Sequence, residues 1–156
     1  MGDGGLDRVT GVLRSWLADA GRSTPLLGVG LGVPGVVNEV RGTVTAPLVG
    51  WLDVPLRDRL QSELDQRVLV DNDVNLLALG EHAIMWPDQS DLFFVKVATG
   101  IGAGIINGRR LQRGAQGSAG DLGHVRVPFG ADTPSHGAQD ADLEALASGP
   151  AIARTL

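Results

Sequence analysis

The residues best suited to chemistry cluster between Thr99 and His124, in the run TGIGAGIINGRRLQRGAQGSAGDLGH. Glycine at alternate positions (Gly100, Gly102, Gly104) allows close backbone approach to a ligand and leaves N–H donors for a phosphate or a sugar hydroxyl. The run fits neither common nucleotide loop. A P-loop needs Gly-Lys-Ser/Thr, whereas Ile105 follows Gly104; the dinucleotide fingerprint needs glycine at 105 and a helix directly after it. Here Ile105-Ile106 reads as strand and Asn107-Gly108 as a hairpin turn. A glycine-rich meander without any ligand satisfies the same residues. A second group, Asp71-Asn72-Asp73, follows the apolar run Val68–Val70, at the strand end where α/β folds place ligand-contacting groups. Helix capping is the alternative, although a helix needs only one cap.

Those residues need a scaffold, and hydrophobic periodicity supplies one. Leu6, Val9, Leu13, Trp16, Leu17 and Ala20 form a 3.6-residue stripe ended by Gly21. Leu26–Leu31 reads as a buried strand, Gly32–Gly35 as a turn, and VVNEVRGTVTAP as a hairpin. Asp53 is positioned to cap a helix with Pro55 in its first turn and Leu56, Leu60 and Leu64 inward. Val68–Val70 is a second buried strand. A helix follows over 74–86 with Leu76, Leu77, Leu79, Ala83 and Ile84 inward. Pro87–Asp91 is polar and turn-forming, and marks a boundary near residue 88. Strands are expected at 92–98, 101–106 and 109–112, a loop at 128–141, and a helix over 143–156 broken around Ser148-Gly149-Pro150. Strand–helix alternation followed by a meander predicts an α/β protein of two subdomains, 1–88 and 89–156.

Composition narrows the function classes. The 156 residues, 43% hydrophobic, can bury one good core or parts of two small ones. A net charge of −5 without any basic block argues against direct grip on nucleic acid or an anionic membrane. Tyrosine is absent and aromatics are 4%, which removes stacking platforms for single strands. With no cysteine, disulfides and thiolate metal sites are excluded. No apolar run spans a bilayer and MGDGGLDR is not a signal peptide, so a cytoplasmic protein is the expectation.

DNDVNLLALGE (71–81), ATGIGAGI (98–105), GAQGSAGDLGH (114–124) and LEALASGPAI (143–152), with GVPGVV (32–37) and APLVGW (46–51), resemble the repressor, open reading frame and kinase (ROK) family. The resemblance implies an actin-like, ribonuclease-H-like fold and a sugar ligand. By motif match it assigns Asp73 as the general base of a sugar kinase and Gly35, Asn72, Asp73, Asp121, His124 and Glu144 as sugar-binding. Thr99, Gly100 and Gly102 match a phosphate loop. The bland alternatives are a solvent-exposed helix residue for Glu144 and a structural histidine for His124.

The chain departs from the family pattern in three ways. The opening Asp-x-Gly-Gly-Thr phosphate loop is absent, so the chain is expected to be a fragment, inactive alone. The zinc motif falls on His124, Ser135, Gly137 and Asp142, so the thiolates are lost and no metal site is expected; His136 reads as a solvated loop histidine. Asp121 replaces a glutamate, a form associated with the family's regulators. The expectation is therefore the sugar-binding part of a sugar-responsive regulator that meets DNA only through an upstream domain. The alternative is part of an ATP- and Mg-dependent hexose kinase of glucokinase type. Either way a homo-oligomer without a membrane partner is expected.

Overall fold

The computed structural model describes residues 3–20, 26–127 and 142–155. The chain divides into two compact units, Met1–Asp73 and Val74–Leu156. The helix that the sequence places before the boundary near residue 88 thus groups with the second unit.

The first unit is α1 (Asp3–Ala20), β1 (Val29–Val33), β2 (Val36–Asn38), β3 (Thr43–Ala46), β4 (Trp51–Val54), α2 (Leu56–Leu64) and β5 (Val68–Asn72). Leu6 of α1 is buried, with Leu13 and Leu17 packed against the same core, as the stripe requires. Trp16, expected in that stripe, is 66% exposed. At 3.6 residues per turn it lies about 80° round the helix from Leu6. Thr10 takes the central place instead, its hydroxyl donating to the Leu6 carbonyl at 3.0 Å so that no bare polar group is buried. The Gly21 stop lies outside the described residues.

β1 and β5 pair in parallel, Val29 opposite Val68 through Val33 opposite Asn72. The first strand thus starts later than the apolar run Leu26–Leu31, and Leu27 is almost wholly exposed. β2, β3 and β4 form an antiparallel meander. Leu56, Leu60 and Leu64 are buried as periodicity predicts, but Asp53 does not cap α2. The N-cap is Pro55, without any side-chain bond, and Asp53 sits in β4 at φ 49°. Its carboxylate accepts from the Arg41 guanidinium at 2.6 Å. The Thr43 hydroxyl and that guanidinium hold the carboxyl below the ordinary range.

The second unit contains α3 (Asp73–Met85, whose first residue closes the first unit), β6 (Leu92–Val97), β7 (Ile101–Asn107), β8 (Arg110–Leu111), a 3-10 turn at Leu122–His124, α4 (Leu143–Ala147) and α5 (Gly149–Thr155). β6, β7 and β8 are an antiparallel meander in that order. Its second hairpin turns on Gly108-Arg109, φ 57° and 63°, one residue later than the expected Asn107-Gly108. Asn107 instead pairs with Arg110. Two positive φ values in a two-residue loop are the mark of a type I′ turn.

The buried face of α3 also differs from expectation. Val74, Asn75 and Ala78 are buried, whereas Leu76, Leu77 and Ile84 are exposed. Glycines on β7 explain the choice. A Cβ at Gly104 would collide with the Cβ of Ala78, and one at Gly102 would lie 3.1 Å from a Val74 methyl. Close helix–strand approach selects the small-residue face of α3 over its large apolar one. The final helix breaks at Ser148 as expected. Residues 128–141 lie outside the described residues.

Candidate functional site

In the first unit the candidate residues gather where β1 and β5 end. Gly35 has φ 93°, and a Cβ there would collide with the Thr45 carbonyl oxygen, so glycine is required by conformation and by space. Its own carbonyl accepts from the Asn72 side-chain amide at 2.9 Å. The buried carboxylate of Asp71 accepts from the Asn72 backbone N–H at 2.8 Å. Asp71 and Asn72, which capping alone leaves unexplained, are thus engaged in fixing this corner. Asp73 opens α3, where the positive end of the helix dipole favours a carboxylate.

The second unit brings together three motifs far apart in sequence. β6 and β7 are joined by Ala98-Thr99-Gly100, with the Ala98 N–H bonded to the Gly100 carbonyl at 2.9 Å. The Ile101 N–H that follows donates to Glu144 Oε2 at 2.9 Å across 43 residues. Glu144 is therefore no free surface residue. A Cβ at Gly100 would lie 2.7 Å from Oε2, and one at Gly123 would lie 2.8 Å from it. Two glycines from two motifs cradle one carboxylate. Among the described residues Oε1 has no hydrogen-bond partner.

Backbone bonds secure the same region. The Ala103 N–H donates to the Gly120 carbonyl at 2.7 Å, the Leu143 N–H to the Val125 carbonyl at 3.0 Å, and the Gly149 N–H to the Ala98 carbonyl at 2.8 Å. Gly120 has φ 89°, and a Cβ there would collide with the Ala103 carbonyl. The turn carrying Asp121 and His124 is thereby set against β7. Asp121 is exposed and makes no side-chain cap bond to that turn.

His124 is 68% exposed, with Nδ1 3.5 Å from Asp142 Oδ2, the outer limit for a bond. The other Asp142 oxygen accepts from the Ala145 N–H at 2.9 Å as the N-cap of α4. Asp142 thus caps α4 with one oxygen and faces His124 with the other. Among the described residues no three His, Asp or Glu side chains gather as metal ligands. Ser135, His136 and Gly137 lie outside the described residues.

Glycine spacing alone does not say what these positions approach within the fold. Gly102 and Gly104 approach protein atoms of α3, and Gly100 approaches Glu144. Gly120 and Gly123, present in the motif but not singled out, prove as constrained as the alternating three. Their signal was the Gly-x-x-Gly spacing before His124, which has meaning only once β7 lies beside it.

The ROK family model matches residues 12–156. A xylose repressor from Caldicellulosiruptor bescii is 44% identical over 114 residues, 72% of this chain and 29% of that protein. A glucokinase from Halalkalibacterium halodurans is 37% identical over 134 residues, 83% of this chain and 40% of that protein. Among solved structures, a ROK family transcriptional regulator, a homologue of the E. coli MLC protein, aligns with TM-score 0.86 and 25% identity. That alignment covers 99% of this chain and 39% of the regulator. The chain thus spans well under half the length of these relatives. No helix among the described residues is long and apolar enough to cross a membrane. With a partial actin-like ATPase fold and a family match over nearly its whole length, the chain belongs to the ROK family.

Proposed function

We propose that this chain is the sugar-binding portion of a sugar-responsive ROK transcriptional regulator. The observation that carries the reading is Glu144, with one oxygen fixed by a backbone N–H and the other without a partner among the described residues. A carboxylate held this way offers a preset acceptor to a hydroxyl. The side chains we assign to the sugar are Asn72, Asp73, Asp121, His124 and Glu144, with Gly35 shaping the corner that orients Asn72. The 44% identity to a xylose repressor and the Asp121 form of the motif favour a regulator. In this reading DNA is met only through a segment outside this sequence, and the protein works in the cytoplasm as a homo-oligomer with no metal at the degraded zinc motif.

The retained Thr99-Gly100-Ile101-Gly102 loop and the 37% identity to a glucokinase support a second reading, part of a hexose kinase. There Mg-ATP supplies the phosphoryl group. The Asp73 carboxylate takes the proton of the attacking sugar hydroxyl, while the other assigned side chains orient that hydroxyl. With the Ile101 N–H committed to Glu144, the Thr99 hydroxyl and the Gly100 N–H are the donors we assign to a phosphate, with Gly102 allowing the backbone's close packing.

One experiment separates the two. The full-length parent protein is mixed with xylose or glucose, with and without Mg-ATP, and both melting temperature and ADP release are followed. A sugar-dependent rise in melting temperature without turnover is expected. Sugar-dependent ADP release that Asp73→Asn abolishes would replace the regulator reading with the kinase.

A further inference from the structure

Glu144 occupies a position that sugar binding alone does not require. Its Oε2 lies at the junction of two motifs, bonded to the Ile101 N–H and within 3 Å of where a Cβ would stand at Gly100 and at Gly123. Any side chain at either glycine would displace it. The helix that carries it is itself anchored to both motifs. The Leu143 N–H bonds to the Val125 carbonyl just after the His124 turn, and the Gly149 N–H beyond α4 bonds to the Ala98 carbonyl just before the Thr99 loop. The α4 N-cap, Asp142, also faces His124.

We infer that Glu144 is a positioning residue as well as a ligand contact, its carboxylate strapping the Thr99–Ile101 loop to the Asp121–His124 turn so that a sugar hydroxyl held at Oε1 orders the loop through Oε2. This rests on the sugar-binding reading. A carboxylate anchored at one oxygen has few ways to reorient, so a donor at the other restricts the shared group further. The Ile101 N–H then loses the fluctuations that open it to solvent. Sugar occupancy is in this way transmitted to the segment matching the family's phosphate loop without any movement of the sheet. Coupling of this kind is reciprocal, so an anion that orders the same loop tightens the sugar.

The test is amide hydrogen exchange of the segment around Ile101 in the full-length parent protein, with xylose and glucose as probes and melting temperature as the independent measure of binding. In the wild-type protein, whichever sugar raises the melting temperature should slow exchange of the 99–101 loop. Without sugar, Glu144→Ala should speed exchange there about tenfold or more, as expected for loss of a hydrogen bond to a charged group. Gly100→Ala should do the same by crowding Oε2 while leaving Glu144 in place. Glu144→Gln keeps an oxygen for the Ile101 N–H but presents an amide donor in place of the second carboxylate oxygen. It should therefore retain near wild-type exchange without sugar and lose the sugar-induced slowing, a split that a merely structural role would not produce.

Wild-type exchange at Ile101 in Glu144→Ala overturns the strap. A sugar that raises the wild-type melting temperature but leaves loop exchange unchanged overturns the coupling while the sugar reading stands. If neither sugar alters the melting temperature, the sugar reading and the coupling both fall, and the comparison without sugar still decides the strap.

Discussion

The corner at Gly35 and Asp71–Asp73 and the junction at Gly100, Gly123 and Glu144 solve one problem by different means. Each must hold a polar side chain in a fixed direction beside a backbone turn. At the corner one bond is local and one is not: Asp71 fixes the backbone of the next residue, and the Asn72 side chain reaches the turn at Gly35, 37 residues away in sequence. At the junction, the carboxylate reaches a backbone N–H 43 residues away and depends on two glycines from different motifs. The corner's glycine is set by backbone conformation and backbone space; at the junction Gly100 faces the Glu144 side chain alone, while a Cβ at Gly123 would meet both that carboxylate and the Ile101 carbonyl oxygen, 2.6 Å away.

The sharpest way to break this comparison is Gly35→Ala. Positive φ and collision with the Thr45 carbonyl act together, so a loss of about 3 kcal/mol or more is expected in denaturant unfolding of the parent protein. Gly100→Ala should cost less, about 1 kcal/mol, because the Glu144 carboxylate can give way where a carbonyl does not. Equal losses would show that both glycines answer to backbone. Asn72→Ala removes the bond to the Gly35 carbonyl and should cost about 1 kcal/mol in the same assay. A neutral result would mean that the corner holds without its amide.

A smaller effect is expected at Asp91, a third polar anchor. The Ser90 hydroxyl, the Gly108 N–H and the Asn107 amide hold its carboxyl below the ordinary range. A depressed folded-state value contributes stability that is present above the unfolded value, about 3.9, and lost as pH falls through the folded value. Asp91→Asn should therefore lower the melting temperature modestly at neutral pH, where that contribution is present, and flatten the further fall on acidification below about pH 4. Least of all, Trp16→Ala should stay within about 0.5 kcal/mol, since the ring is exposed. A large loss there would restore Trp16 to the stripe.

Much of the fold was legible. The helices at 6–20, 56–64 and 74–86 and the three strands after residue 92 follow from apolar spacing, and the break near Ser148 from Gly-Pro chemistry. The misreadings share a cause. Trp16, Leu76, Leu77 and Ile84 are apolar but exposed, because a periodic pattern names a stripe without saying which flank meets a partner. On α3 the choice fell to Val74 and Ala78 because β7 offers glycines there. Asp53 had the residue type of a cap, yet Arg41 across the meander claimed it. It lies in β4 two residues before Pro55, the N-cap of α2, which has no side-chain cap bond.

For the candidate residues the division is similar. The sequence by itself determined which residue types are present, their order, the family they belong to and the loss of thiolates, because those properties are carried by single positions and short spacings. Only the tertiary structure decided that Gly100, Gly123 and Ile101 share one carboxylate, that Asp142 both caps α4 and faces His124, and that Gly102 and Gly104 let α3 approach β7 closely. Those relations join atoms tens of residues apart. They arise when strand register and helix docking close the chain on itself, and no local pattern encodes the resulting distances.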